Sequence, residues 1–337
     1  MDLSEAIFNR TESSGKDYQF AENQNPRLPA QFWFQESEEG LTLFLVLYSQ
    51  ACRWSKCLAC NLPSKMSQFH VSYKDIMRQI DYVFDFILSD EHKSKLSKII
   101  LSNNGSILDE ETFSSTALFY FVAKMNMDCP NVETLSIETR VEYADIAELE
   151  ILARVLREGE KSPQLELAIG FEAFDDEIRN KHFMKGLSIK GFEEFAQRAA
   201  EHNFKIKAYF MLKPLPNMAE EKAVEDILEG IKYLDKVSRR YGVEINMHLN
   251  PTYAAFGTPL EEAFGDGTFT PPTLESIRDI LCESAGTAIS IFVGLNDEGL
   301  SVPGGSCISD PEHELVAAIN SFNRTQDLSA FSSASES

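Results

Sequence analysis

The chain has 337 residues, 43% of them hydrophobic and 25% charged, with 53 acids against 31 Lys and Arg and a formal net charge of −22. That length and apolar fraction allow one large domain or two ordinary ones, and exclude a chain disordered throughout. The charge, with no dense run of bases, excludes a protein that grips nucleic acid or an anionic membrane mainly by neutralising phosphates.

Residues 1–40 are polar and mixed and read as an irregular N-terminal extension. The start, Met1-Asp2-Leu3-Ser4-Glu5, lacks the basic-then-apolar pattern of a signal segment. The longest apolar runs, Leu43 to Tyr48 and Ala117 to Ala123, are far too short to span a bilayer. A cytoplasmic chain without a membrane partner is the expectation. Its six cysteines are then expected as ligands, reactive thiols or core residues rather than disulfides.

From residue 41 to 295, short apolar runs alternate with helical spacing. The candidate strands are Leu43–Tyr48, Lys98–Leu101, Val132–Ile137, Leu165–Phe171, Ile206–Leu212, Val243–Leu249 and Ala288–Val293. Between them, apolar residues recur at spacings of three and four, as in Ile76, Met77, Ile80, Val83, Phe84, Ile87. The sets Ile146, Leu149, Leu152, Val155, Leu156 and Val224, Ile227, Leu228, Ile231, Leu234 repeat the pattern. Strand–helix–strand repeated about six times predicts right-handed βαβ units and a parallel sheet of the α/β class, either doubly wound or curled into a full or partial barrel. Residues 296–327 read as a C-terminal extension, with a helix capped by Asp310 and opened by Pro311, and 328–337 as a Ser-rich flexible tail.

Either sheet collects chemistry at the carboxyl ends of its strands. In chain order those ends carry Cys52, then Ser102-Asn103-Asn104-Gly105-Ser106, Glu138-Thr139-Arg140, Glu172, Lys213-Pro214, and His248 with Asn250-Pro251-Thr252. Asn103 to Ser106 suits close backbone approach by a ligand, or a tight turn. Glu138 and Arg140, two apart on a strand, share a face. They offer an acceptor and a guanidinium to a zwitterion or ribose, or else close the loop as an ion pair. Glu172 is a candidate contact for cofactor or substrate, or a hydrogen-bonded barrel carboxylate. Lys213 is a candidate holder of an anionic substrate, or a lysine with its stem buried and its head in water. His248 reads as a satisfied core histidine. Cys129 and Cys282 read as packing residues and Cys307 as a free thiol.

The sharpest feature is Cys52-Arg53-Trp54-Ser55-Lys56-Cys57-Leu58-Ala59-Cys60, with spacing C-x4-C-x2-C. Three thiolates so close can wrap one soft metal centre. A plant-type ferredoxin shares the spacing but needs a fourth cysteine, and so does a structural zinc site, whose ligands usually come in two close pairs. Cys129, Cys282 and Cys307 each stand alone. A [4Fe–4S] cluster with three protein ligands and one open iron accounts for the triplet best. A non-enzymatic iron–sulfur electron carrier or a structural zinc protein is the alternative.

Three clustered cysteines after the first strand of a βα series resemble the radical S-adenosylmethionine superfamily, although the commoner spacing there is one residue shorter in its first gap. The position before the last cysteine is usually aromatic in that family. Here it is Ala59, which leaves Trp54 or Tyr48 to pack near the adenine. Ile137-Glu138-Thr139-Arg140 is similar to the motif after the third strand in the Elongator-like branch. Phe171-Glu172, Asp175 to Arg179, Lys185-Gly186, Lys207-Ala208-Tyr209, Leu212-Lys213-Pro214 and Asn250-Pro251-Thr252 resemble the archaeosine-biosynthesis subgroup. The resemblance implies a partial (β/α)6 TIM-type barrel over residues 41–295 and a [4Fe–4S] cluster on Cys52, Cys57 and Cys60. It also implies S-adenosylmethionine bound by Asn103, Asn104, Gly105, Ser106, Glu138 and Arg140. An external one-electron donor of flavodoxin or ferredoxin type starts a radical abstraction of hydrogen from substrate, with Glu172 and Lys213 as catalytic candidates. The subgroup implies a tRNA bearing a lysine-modified deazaguanine, cleaved in a lyase-type step. A small molecule, a peptide or a modified tRNA base all remain candidate substrates.

The charge sets a test of the tRNA reading. A polyanion bound by this chain alone needs clustered bases, and Arg27, Arg53, Lys56 and Lys65 are the candidates for such a rim. With acids in such excess, tRNA binding by the isolated chain is expected to be weaker than about 10 μM at physiological salt. Tight, steeply salt-dependent binding without a partner, measured by filter retention or fluorescence anisotropy, would contradict this.

Overall fold

The computed structural model describes residues 2–308 and 313–331. An eight-stranded sheet runs in chain order: β1 (Gln31–Ser37), β2 (Gly40–Val46), β3 (Leu96–Ser102), β4 (Thr134–Thr139), β5 (Gln164–Glu172), β6 (Lys205–Leu212), β7 (Ile245–Pro251) and β8 (Ser290–Val293). β1 pairs antiparallel with β2 as a hairpin, and β2 through β8 are all parallel. The crossovers contain α2 (Tyr73–Tyr82), α3 (Asp90–Lys95), α4 (Ser115–Asp128), α5 (Ile146–Leu156), α6 (Ile189–Glu201), α7 (Glu220–Tyr241), α8 (Pro259–Gly265) and α9 (Leu274–Glu283). α1 (Leu3–Ser13) precedes the sheet and α10 (Glu314–Thr325) follows it.

The strand order never reverses. Parallel crossovers are right-handed, so their helices all fall on one face and the other face curls inward. A doubly wound sheet needs a reversal and is thereby excluded. The chain forms an α/β partial (β/α)6 barrel with N- and C-terminal extensions, as expected. All seven anticipated strands are present within a few residues, because each is a Leu-, Ile- or Val-rich run buried on both faces. The helices start where Ser72, Ser114, Asp145, Ser188 and Thr273 accept hydrogen bonds from first-turn amides.

Three expectations need correction. Residues 1–40 are not irregular: they contain α1 and β1. β1 is an edge strand with mixed exposure rather than a clean alternation, and its Trp33 stacks on Phe44 of β2 at 4.1 Å. The tail does not begin at residue 328, because Leu328–Phe331 form a short 3-10 turn with Phe331 buried. Asp310, Pro311 and residues 332–337 lie outside the described residues. The described helix starts at Glu314, where His313 caps it by accepting from the Leu315 amide. The helical stretch from Ile76 to Ile87 is also interrupted, passing at Val83–Ile87 into a π-helical turn that leaves Phe86 exposed.

The concave face is filled from the bottom by charge. Lys98 bonds Glu39 and lies 2.9 Å from Glu166. Lys207 donates to Asn246, whose amide reaches Ser290 at 2.9 Å. Burial works against the Glu166 carboxylate, yet Lys98 and Lys207 hold it down to about 2, while burial brings Lys207 down to about 8. Higher up, Tyr209 and His248 pack at 4.7 Å and His248 and Phe292 at 4.9 Å.

The open side of the curl is closed by α10, which contacts both β1 and β8. Asn323 accepts from the Val293 amide and donates to the Val293 carbonyl, and Gln326 does the same at Ile291. These are the groups a ninth strand would have paired, so two side-chain amides satisfy the sheet edge. The Asn323 carbonyl accepts from the Glu38 amide, tying the other edge to the same helix.

Lys98→Met should cost about 3–5 kcal/mol in urea unfolding near pH 7, because it leaves Glu166 buried without its principal partner. The stability carried by the wild-type Glu166 carboxylate should be complete above the ordinary glutamate range. It should fade as pH falls from there toward 2.

Candidate cluster and cofactor site

A cavity of about 430 Å³ opens at the carboxyl ends of the strands. Its wall includes Cys52, Cys57 and Cys60 from the loop after β2, Asn104 and Gly105 after β3, and Glu138, Thr139 and Arg140 at the end of β4. Gly170 and Glu172 of β5 and Tyr209, His248 and Glu298 complete it on the far side. Sequence positions spread over almost 250 residues therefore meet at one mouth.

The cysteine loop is a sequence of tight turns. The Cys60 amide donates to the Cys57 carbonyl at 3.2 Å, the Leu58 amide to Phe183 at 2.9 Å, and the Ser55 hydroxyl to the Cys52 carbonyl at 2.5 Å. All six cysteines are free. Burial pushes the Cys57 thiol up, opposed by Lys185, and pushes Cys60 up to about 12, opposed by Lys16. Ligation would have to draw those protons off. Among the described residues no three His, Cys, Asp or Glu side chains converge to hold a single ion. A cluster spreads its ligands over separate irons, so the donor set that fits here is three soft thiols of one loop on one wall.

The loop after β3 passes very close to the cysteines. A Cβ on Gly105 would sit 3.1 Å from the Cys52 Cα, so a larger residue there would press the two loops apart. Asn103 is fully buried, donates to the Ser49 hydroxyl at 3.0 Å, and leaves its Oδ1 without a partner beside Gly105. An orphaned acceptor in that position fits a ligand amine. Ser106 is held by the Thr139 hydroxyl at 2.7 Å. Of the four residues anticipated in this loop, Asn104 and Gly105 reach the cavity wall, while Asn103 and Ser106 sit behind it.

Glu138 and Arg140 both line the cavity but do not pair with each other. Glu138 accepts from Ser102 and, at 2.7 Å, from Tyr209, and burial raises its carboxyl. Arg140 pairs with Glu142 at 2.5 Å, donates to the Lys185 carbonyl at 3.0 Å, and stacks 4.4 Å from the Trp54 ring centre. Of the two aromatic candidates Trp54 lines the cavity, whereas Tyr48 is buried elsewhere with its hydroxyl on the Ala21 carbonyl.

Glu172 forms a 2.8 Å ion pair with Lys185, and both side chains are 12% exposed. A Cβ on Gly170 would overlap both groups, so the pair lies directly over that glycine. Lys213 is not part of the cavity wall. Its ammonium is fastened 2.9 Å from Glu220 and from Thr270. His248 is not a satisfied core histidine. It lines the cavity, its Nδ1 has no partner, and burial holds it neutral. Cys129 is buried as expected, Cys282 is exposed, and burial pushes Cys307 up to about 12. Two of the four bases of the anticipated rim are paired, Arg27 with Asp75 at 3.3 Å and Arg53 with Asp109 at 2.8 Å, while Lys56 lies 5.1 Å from the Trp54 ring centre. Lys185 and Glu298 were not anticipated as site residues. Glu298 brings a carboxyl that burial pushes up to about 8, with one oxygen unpartnered.

Ser55, Asn104, Glu172 and Lys213 all adopt left-handed backbone, with φ of 46°, 54°, 75° and 63°. Four non-glycine residues in that region at one end of a barrel mark stored strain of the kind found at binding sites.

No family model matches the chain. It is 25% identical to the archaeosine synthase subunit beta of Thermococcus kodakarensis over 88% of this chain and 90% of that protein. It is also 25% identical to an uncharacterised protein of Methanocaldococcus jannaschii, over 76% of this chain and 69% of that one. The archaeal Elp3 of Methanocaldococcus infernus, with its N-terminus deleted, superimposes with a TM-score of 0.51 at 15% identity. That match covers 76% of this chain and 59% of the other, and shows a shared fold. The resemblance read from the cysteine loop and strand ends, to the Elongator-like and archaeosine-related radical S-adenosylmethionine proteins, is the one these comparisons return.

Gly170→Ala tests the geometry of the mouth. It should displace the Glu172–Lys185 pair and weaken ligand binding while far-ultraviolet circular dichroism stays unchanged. Unaltered binding in calorimetry would show that the pair does not shape the site.

Proposed function

We propose that the chain is a radical S-adenosylmethionine enzyme. Cys52, Cys57 and Cys60 would hold one [4Fe–4S] cluster, and the loop after β3 with Glu138 and Arg140 would hold the cofactor. The observation that carries this reading is the common wall: three thiols from one loop share a cavity with an asparagine–glycine loop, a carboxylate and a guanidinium from the next two strands. When bound, the cluster and S-adenosylmethionine would supply an electron and then a radical able to take a hydrogen atom from substrate.

The chain's own residues have separable tasks in this reading. The loop at Asn104 and Gly105 receives the methionyl amine, with Asn103 behind it. Arg140, held flat between Trp54 and Glu142, presents a fixed guanidinium to a carboxylate or ribose. Trp54 gives the adenine an apolar face. Glu172 and Lys185, across the mouth, offer substrate one acid and one base. Lys213, turned onto Glu220 and Thr270, sets the strand-end turn instead of meeting substrate. The aromatic layer of Tyr209, His248 and Phe292 below excludes water from a reactive radical.

The relative named as a subunit beta supports two further parts of the proposal. One is a second chain that supplies the nucleic-acid surface this acidic chain lacks. The other is a modified nucleobase, or a small molecule of like chemistry, as substrate. The paired state of Arg27 and Arg53 favours the same division of labour. The electron would come from a flavodoxin- or ferredoxin-type donor, and the reaction class would be lyase-like.

Anaerobic reconstitution should load about four irons per chain. The reduced cluster's paramagnetic resonance spectrum should change on adding S-adenosylmethionine, and 5′-deoxyadenosine should be released. Zinc alone, or a spectrum blind to the cofactor, would support a structural or electron-carrying protein instead. Arg140→Ala should weaken S-adenosylmethionine binding by about ten- to a hundredfold with iron content near wild type.

A further inference from the structure

Of the cations at the cysteine loop, three are already paired with carboxylates. Arg53 is held by Asp109, Arg140 by Glu142 and Lys185 by Glu172. The most deeply buried of the others is Lys16, which follows α1 in the segment that composition marked as irregular. It is 4% exposed. Its Nζ donates to the Ser55 carbonyl at 3.0 Å, inside the loop between Cys52 and Cys57. No carboxylate among the described residues pairs with it.

A buried ammonium with a single carbonyl partner is unfavourable. The segment that delivers it is nonetheless firmly placed. Arg10 of α1 donates to the Arg53 carbonyl at 2.5 Å, and the Asp17 amide donates to Gly257 at 2.9 Å. A Cβ on Gly257 would clash with the Asp17 carbonyl, so that glycine permits the approach. The neighbouring Tyr18 hydroxyl is raised first by burial and then by Cys60, with smaller contributions from Cys52 and Cys57. Lys16 in turn acts on Cys60 and Cys57, opposing the effect of their burial.

We infer that Lys16 is a positioning residue whose missing counter-charge is the thiolate-ligated cluster itself. The inference rests on the reading of Cys52, Cys57 and Cys60 as cluster ligands. In the empty chain the ammonium is a cost, and in the loaded chain it faces net negative charge at close range in a site of low dielectric. Each added electron makes the cluster more negative, so Lys16 favours the reduced state and raises the potential at which the cluster accepts its electron. Through the Ser55 carbonyl it also fixes the loop segment between Cys52 and Cys57. The N-terminal extension thus becomes part of the redox site.

The experiment compares Lys16→Met and Lys16→Arg with the wild-type chain, empty and reconstituted. Met has similar length without charge, so the empty Lys16→Met chain should melt at the same or a higher temperature. Its reconstituted form should have a more negative midpoint potential in a spectroelectrochemical titration. It should also lose iron to a chelator at least about tenfold faster. Lys16→Arg should return both properties toward wild type. A lower melting temperature of the empty Lys16→Met chain, or an unchanged potential in a fully loaded one, would make Lys16 a simple strut and overturn the inference alone. A wild-type chain that takes up no iron would overturn the cluster reading and this inference together.

Discussion

A parallel sheet that adds each new strand on the same side must curl, and the inside of the curl must then be filled without help from the helices outside. This chain fills it by depth. Charged and amide side chains close the amino end, aromatic rings occupy the middle, and the carboxyl end is left open and lined by loops. The bottom layer is a costly choice, because buried ion pairs seldom outperform apolar packing in stability. What the Lys98–Glu166 pair does provide is a directional fit. Ammonium and carboxylate meet in one register, so β3 and β5 are tied to each other across β4 where aliphatic side chains would tolerate a slip.

At the other end the electrostatics run against the chain as a whole. A protein carrying −22 surrounds its three adjacent thiols with Lys16, Arg53, Arg140 and Lys185. Many surface bases are spent on local acids, as in Lys95–Glu91, Lys181–Glu177 and Arg239–Asp235. Positive potential is thus gathered in the pocket and cancelled on the exterior. Such a distribution suits a small anionic centre held inside and disfavours a polyanion laid along the outside.

The parallel strands were legible because burial on both faces demands unbroken apolar runs, and the cysteine triplet because three thiols in nine residues have few other uses. Glu138, Arg140, Asn104, Gly105 and Glu172 were found by one rule, that strand ends meet at one mouth. The same rule failed for Lys213. Strand-end position says which end of the barrel a residue occupies but not which way its side chain turns, and the left-handed backbone at Lys213 accompanies a turn onto Glu220. Lys185 was passed over because it lies well beyond its strand, after a π-helical turn, and comes back over Gly170 only in three dimensions. β1 and α1 were missed because neither buries a continuous stripe. Their role is to cover an edge and brace a loop, and such work leaves no periodicity in composition.

Asn323 and Gln326 have a consequence for the order in which the chain can become finished during synthesis. The ribosome delivers β1 long before α10, yet the two sheet edges share that helix. Until residue 326 has emerged, β8 presents bare amides and carbonyls at Ile291 and Val293, and the nascent barrel carries an unprotected pairing edge. That edge can be covered only once α10 is present, with two carboxamides serving as its clasp.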